Sequence, residues 1–281
     1  LCGTQAPYYV KRNFQDLDLS NAFLFAAAMN DPITCSLVLE LILDRTMGTV
    51  MVQSEKSILY SSDFRSARLD VYISEDVRVD YDLEMENRIA DKNNLPKRSR
   101  FYQAQMDVEA LKPGEDIGTL KPSYVIFICT FDPFGKDLYR YTYENICLET
   151  GDPLGDETRK IYLNTKGKNV EEVPEGLVAF LRYVENSTDE CAQECSSGVI
   201  DVIHGRVKAL KYSREWEAKF MTFEEWVKAE KQESCICGEE KILELVKALL
   251  QDNRLEELSQ ISEDTALRER LCKEYKLSDI V

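Results

Sequence analysis

A single histidine, His204, stands in 281 residues, and no Gly-x-Ser-x-Gly motif accompanies it. That removes the basis for a Ser-His-Asp hydrolase, whose general base is a histidine. A phosphate-cradling loop is also missing. Gly151-Asp152-Pro153-Leu154-Gly155 has the wrong glycine spacing and lacks the Lys-Ser/Thr pair of a P-loop. No uncharged apolar run reaches about eighteen residues, so no membrane-spanning helix is expected. The first residues, Leu1-Cys2-Gly3, form neither a basic n-region nor the start of a long apolar h-region, so no signal peptide is expected. They also lack Met, which points to a native start upstream. Positive charge is in short supply: 35 Lys and Arg face 51 Asp and Glu, a net charge of -16. A surface of that sign opposes non-specific attraction to phosphates, so any nucleic-acid partner needs a local basic patch.

The nine cysteines are odd in number and scattered. Cys35, Cys129 and Cys147 sit in apolar runs, where a reduced, buried thiol is the ordinary state, and a cytoplasmic protein is expected. Cys191-x3-Cys195 and Cys235-x-Cys237 are poorly spaced for zinc.

What is present suffices for a core: 44% of residues are hydrophobic and 10% aromatic, against the profile of a disordered chain. Residues 18–45 read as helix, capped by Ser20 or Asn21 and split at Asn30-Asp31-Pro32. Three strands are expected at Lys56–Tyr60, Arg68–Ser74 and Val79–Asn87, the last two joined by the polar turn Glu75-Asp76-Val77-Arg78. Pro96 opens a helix to about Leu111, with Asn94 as its cap. Tyr124–Thr130 is a continuous apolar run, as in a strand buried on both faces, and Leu138–Cys147 and Lys160–Asn164 read as further strands. After Pro174 the pattern is helical. Residues 185–281 hold 22 acidic and 14 basic residues, half of the chain's excess negative charge. The expected architecture is a mixed α/β sheet flanked by helices over 14–173, with a helical C-terminal extension over 174–281.

Side chains alternate between the faces of a strand. In Tyr81-Asp82-Leu83-Glu84-Met85-Glu86 the three carboxylates therefore share one face and the apolar residues the other. Such a face is most often simply solvated. Asp70, however, lies among Leu69, Val71 and Ile73, and a hairpin brings it close to Glu84. Two nearby carboxylates repel unless protonated or bridged by a cation. Mg²⁺ is held by one or two carboxylates with waters and substrate phosphate oxygens, and it activates water for attack on phosphorus. From Arg88 to Arg100, five cations (Arg88, Lys92, Lys97, Arg98, Arg100) face the single acid Asp91. Arg98 and Tyr102, four apart, share a helical face.

Arg68-Leu69-Asp70-Val71-Tyr72, then Tyr81 to Glu86, then Leu95-Pro96-Lys97-Arg98-Ser99-Arg100-Phe101-Tyr102-Gln103 resemble the PD-(D/E)XK nuclease family transposases, also called Rpn recombination-promoting nucleases. Tyr124 to Cys129 with Phe131-Asp132-Pro133-Phe134, Ile161 to Gly167, and Glu215-Trp216 through Met221-Thr222 extend the likeness, which runs from about Phe23 to Lys231. The resemblance implies a bacterial protein with a restriction-endonuclease-like core and Mg²⁺- or Mn²⁺-dependent DNA cleavage. It places Asp70 and Glu84 as metal ligands within a catalytic set of Asp70, Glu84, Glu86 and Arg98. Lys97, Arg98, Arg100 and Tyr102 would contact nucleic acid, Arg98 and Tyr102 matching the family's Arg-x3-Tyr, and Glu40 is a possible extra acid. Glu86 departs from the pattern, because the superfamily has Lys there and these relatives usually Gln. Three readings follow: a DNA endonuclease, a degenerate nuclease fold that binds nucleic acid or protein without cleavage, and a homo-oligomer formed through the C-terminal helices. The Trp216, Phe220, Phe223 and Trp226 stripe reads as helix packing or a partner surface.

Overall fold

A computed structural model describes residues 13–58, 67–75, 78–225, 245–246, 249, 252, 254, 257, 260 and 265–275; the side chains of 54–58, 67–70 and a few C-terminal positions lie outside that description. Helix α1 (Ala22–Met29) starts where Asn21 Oδ1 accepts the N–H groups of Phe23 and Leu24 at 3.0 and 3.2 Å. Those bonds satisfy donors that a helix start otherwise leaves unpaired. The chain breaks at Asp31, whose carboxylate caps Thr34 N–H at 3.0 Å, and Pro32 opens α2 (Pro32–Leu43). The two apolar helices meet at 105°, and among the described residues no single helix is long and apolar enough to cross a membrane.

Strands β1 (Val50–Ile58), β2 (Ala67–Glu75) and β3 (Val79–Glu86) form the expected antiparallel meander. The first begins at Val50, ahead of the expected Lys56, and Leu59 and Tyr60 of the expected span lie outside the described residues. Helix α3 (Leu95–Ala110) then crosses over to β4 (Ser123–Cys129), which runs parallel to β3. Strand β5 (Arg140–Tyr143) is an edge strand, antiparallel to β6 (Thr158–Asn164), which lies parallel to β4. The sheet order is β1-β2-β3-β4-β6-β5. The continuous apolar run is thus an interior strand flanked by two parallel neighbours.

Two local expectations are corrected. The strand expected to reach Cys147 ends at Tyr143, because β5 runs along only part of β6, and the chain leaves in an arm joined by the lone bridge Ile146 to Pro153. Cys147 is accordingly exposed, whereas Cys35 and Cys129 are buried. Asn94 makes no side-chain cap, because a 3-10 helix (Ile89–Asn94) leads into α3 and gives Asn94 a helical backbone.

Helices α4 (Glu175–Glu185) and α6 (Gly198–Lys211) pack against α2, with α5 (Asp189–Cys195) between them in the chain. Trp216, in a helix over 214–225, meets Phe23 edge-on, with ring centroids 6.1 Å apart. Trp226, Cys235 and Cys237 lie outside the described residues. The chain divides into two compact units, Leu1–Glu217 and Ala218–Val281; the second has its own small core of Leu245, Leu249 and Leu271.

The register assigns the sheet two faces. Leu83 lies beside Val71 on β2 and Ile126 on β4, which continues to Ile161 on β6. On the other face Glu84 lies beside Phe127, which continues to Tyr162 and Tyr141. Helix α1 covers the first face. Leu95 and Met106 of α3 cover the second, in a cluster with Val125, Phe127, Cys129, Phe131, Tyr141 and Tyr162. Asp132 stabilises the bend after β4: its carboxylate accepts N–H bonds from Phe134, Gly135 and Asp137 and the Tyr141 hydroxyl at 2.8 Å.

On the first face Glu75 is 2% exposed. Its carboxylate accepts from both terminal nitrogens of Arg45, from Gly48 N–H at 2.8 Å and from the Tyr81 hydroxyl at 2.8 Å. The Arg45 hydrogen bonds, outweighing burial and aided by Gly48 and Tyr81, hold the Glu75 carboxyl down to about 2, from an ordinary 4.5. A depressed carboxyl contributes stability that is complete above its unfolded value and is lost as pH falls towards its folded value. Between pH 5 and pH 2 the melting temperature of Glu75→Gln is therefore expected to fall less steeply than that of the wild type, read by circular dichroism. Gly167 gives a second test. A Cβ there would lie 2.6 Å from the backbone N and Cα of Tyr139. Gly167→Ala should cost about 1–3 kcal/mol in urea denaturation, the usual range for overpacking.

Candidate functional site

Four carboxylates occupy alternate positions of β3: Asp80, Asp82, Glu84 and Glu86, exposed by 4, 0, 2 and 4%. The face that alternation assigns to them is buried rather than solvated, because α3 packs over it and β4 flanks β3 in the sheet. Asp80, which continues the same alternation, was not singled out from the sequence; it accepts from Ser74 Oγ at 2.7 Å and lies 3.6 Å from Lys121 Nζ. Strand β2 pairs Val71 with Leu83 and Tyr72 with Asp82, and that register continued by one step sets Asp70 opposite Glu84. The Asp70 side chain lies outside the described residues.

Two polar contacts fix the position of α3 on this face. Ser99 Oγ lies 2.7 Å from the Tyr162 hydroxyl, and Gln103 Nε2 donates to Ser123 Oγ. Next to Ser99 on the same helix, Arg98 divides its guanidinium between two acids. Nη1 donates to Glu86 Oε2, and Nη2 to Glu84 Oε2 at 3.2 Å. Its Cζ lies 5.1 Å from the Phe127 ring centroid and 5.6 Å from that of Tyr102, within cation–π range. Tyr102 stacks on Phe127, and Phe127 on Tyr162, at interplanar angles of 15° and 10°. Burial opposes the charge of Arg98, but Tyr102, Glu86 and Glu84 together outweigh it and raise its pKa. Tyr102 is pushed up to about 12, first by burial and then by the charge of Glu84.

Glu86 Oε1 accepts the N–H of Arg88 at 2.8 Å. Lys97 and Arg100 are exposed on the first turns of α3, and Arg88 is exposed and paired with Asp91 at 3.0 Å. Glu40 is engaged elsewhere: on α2, its Oε1 accepts Met47 N–H at 3.0 Å and closes the turn into β1. His204 is held between the Tyr183 hydroxyl and Asp189 at 2.8 and 2.7 Å. The structure therefore brings Glu84, Glu86, Arg98 and Tyr102 together, and it adds Phe127, which no strand-pattern argument singles out.

The donor chemistry fits a hard divalent cation. Carboxylate oxygens suit Mg²⁺ or Mn²⁺. The thiol of Cys129, which pairs in register with Glu86, is pushed up to about 12 by burial, reinforced by the charge of Glu86, so it stays protonated. Among the described residues no three His, Cys, Asp or Glu side chains form a metal cage.

The chain matches the family described as PD-(D/E)XK nuclease family transposase over residues 17–235. No curated protein and no solved structure matches it.

Removing one partner of a buried ion pair leaves the other charge uncompensated. Arg98→Ala is therefore expected to cost about 3 kcal/mol in urea denaturation at neutral pH, and Arg98→Lys less, because a lysine retains the charge without the fork.

Proposed function

The chain belongs to the PD-(D/E)XK nuclease family transposases, and from that premise we propose that it is a metal-dependent endonuclease hydrolysing DNA phosphodiester bonds. The observation that carries this reading is Glu84, buried at 2% exposure on β3 with the guanidinium of Arg98 beside it and Asp70 set opposite it when the β2–β3 register is continued one step past Val71 and Leu83. Asp70 and Glu84 would hold Mg²⁺ or Mn²⁺. A cation there lowers the pKa of a bound water and offsets negative charge developing on the phosphate. Arg98 contributes a second positive group, held ready by stacked rings, which contacts a phosphate oxygen as charge builds. Glu86 assists beside it. Lys97 and Arg100, exposed on the same helix, contact the DNA backbone and set orientation rather than sequence. This local patch lets a chain of net charge -16 hold a polyanion.

A specific observation favours a second reading, a nuclease fold that binds without cleaving. Position 86 carries an acid, and both Glu84 and Glu86 are paired with Arg98. One experiment separates the two. Purified protein is titrated with Mg²⁺ or Mn²⁺ in the presence of plasmid DNA, with and without a chelator. The nuclease reading expects nicked or linear product that the chelator suppresses and that Asp70→Ala abolishes, with an unchanged far-UV circular dichroism spectrum. Intact plasmid at every metal concentration, with DNA still shifted on a gel, would establish the second reading instead.

A further inference from the structure

We propose that Glu86 is a positioning residue for Arg98 rather than a metal ligand, and that it holds this helix-borne cation beside Glu84. The inference rests on the nuclease reading above and assigns a role within that site. Both oxygens of Glu86 are occupied from within the chain, Oε1 by the Arg88 N–H and Oε2 by Arg98 Nη1. The guanidinium fork is divided: Nη1 donates to Glu86, and Nη2 reaches Glu84 at 3.2 Å. Glu84 can therefore yield its share of the guanidinium to a divalent cation while Glu86 keeps Arg98 from leaving. The remaining freedom of Arg98 is limited on its flank. Its Nε lies 3.4 Å from the Tyr102 hydroxyl, and Phe127 supplies a ring below it. The helix itself is pinned by Ser99 and Gln103. An acid at position 86 is then complementary to the cation at position 98, and the two are expected to act as a unit.

The test is a double-mutant cycle read by Mn²⁺ affinity, measured calorimetrically on full-length wild type, Glu86→Gln, Arg98→Gln and the double variant. Freed from Glu86, Arg98 falls onto Glu84 and competes with the metal, so Glu86→Gln should weaken Mn²⁺ binding about tenfold, as losing a residue that orients a metal site does. In the Arg98→Gln background the same substitution should change affinity by no more than about twofold, the scatter of uncoupled positions. Glu86→Asp, which keeps a charge for the guanidinium, should bind Mn²⁺ within about threefold of wild type, and it supplies the comparison if the Gln variants do not fold. An equal tenfold loss in both backgrounds, or a tenfold loss in Glu86→Asp, would make Glu86 a ligand and overturn the proposal with the nuclease reading intact. No effect of Glu86→Gln on wild-type affinity would overturn it as well. Absence of Mn²⁺ binding in wild type and Arg98→Gln alike would overturn both.

Discussion

Burial of negative charge on one face of β3 governs the architecture around it. An unpaired carboxylate taken out of water costs several kcal/mol, and Asp80, Asp82, Glu84 and Glu86 are all at most 4% exposed. For Glu84 and Glu86 the fold meets that cost with a cation delivered by the crossover helix, and for Asp80 with Lys121, ahead of β4. For Arg98 to reach two acids at once, α3 must sit at one rotation and one height over the sheet. Ser99 on Tyr162 and Gln103 on Ser123 fix both. The aromatic stack of Tyr102, Phe127 and Tyr162 then fills the space beside the guanidinium with rings instead of water. Lower local polarity strengthens every electrostatic contact there, including any made with a phosphate.

The opposite face repeats the device for a different end. Arg45 and Glu75 form a two-point pair, Tyr81 adds a hydroxyl, and Gly48 adds an N–H. Together these contacts join the turn after α2 to the end of β2 and the start of β3. The Arg98 pair differs in having its guanidinium shared between two acids. A fork divided between carboxylates, unlike one closed on a single partner, can release one without losing the other.

Much of this was legible in the residues. The Asn-Asp-Pro break between α1 and α2, the Asn21 cap and the strand alternation of β3 depend on local chemistry, and each appears where it was expected. The family likeness rests on ordered motifs along the chain, and the match over 17–235 bears it out. Burial of the acidic face was not legible, because it requires α3 to fold back over β3 and β4 to pair beside it from residues some forty positions on, as Phe127 does with Glu84. Nor was the Arg45–Glu75 pair, joined across a separation of 30 positions with no motif to mark it. Cys147 failed for a related reason: an apolar neighbourhood in sequence says nothing about whether a partner strand continues beside it. The Phe131-Asp132-Pro133-Phe134 motif was read as family likeness alone, and its physical role is to fasten the exit of β4 to Tyr141.

The connection between β3 and β4 sets an order of assembly. Antiparallel β1, β2 and β3 are neighbours along the chain, whereas the parallel pairing of β3 with β4 requires the whole of α3 to be threaded across first. Sequence-local pairings close early and distant ones late, since the chain entropy of the longer loop must be overcome before contacts reward it. In a nascent meander the acids of β3 are hydrated and lack their guanidinium partner. The cluster of Glu84, Glu86 and Arg98 thus comes into being only when α3 docks on the sheet, a later event than the hairpins that carry its acids.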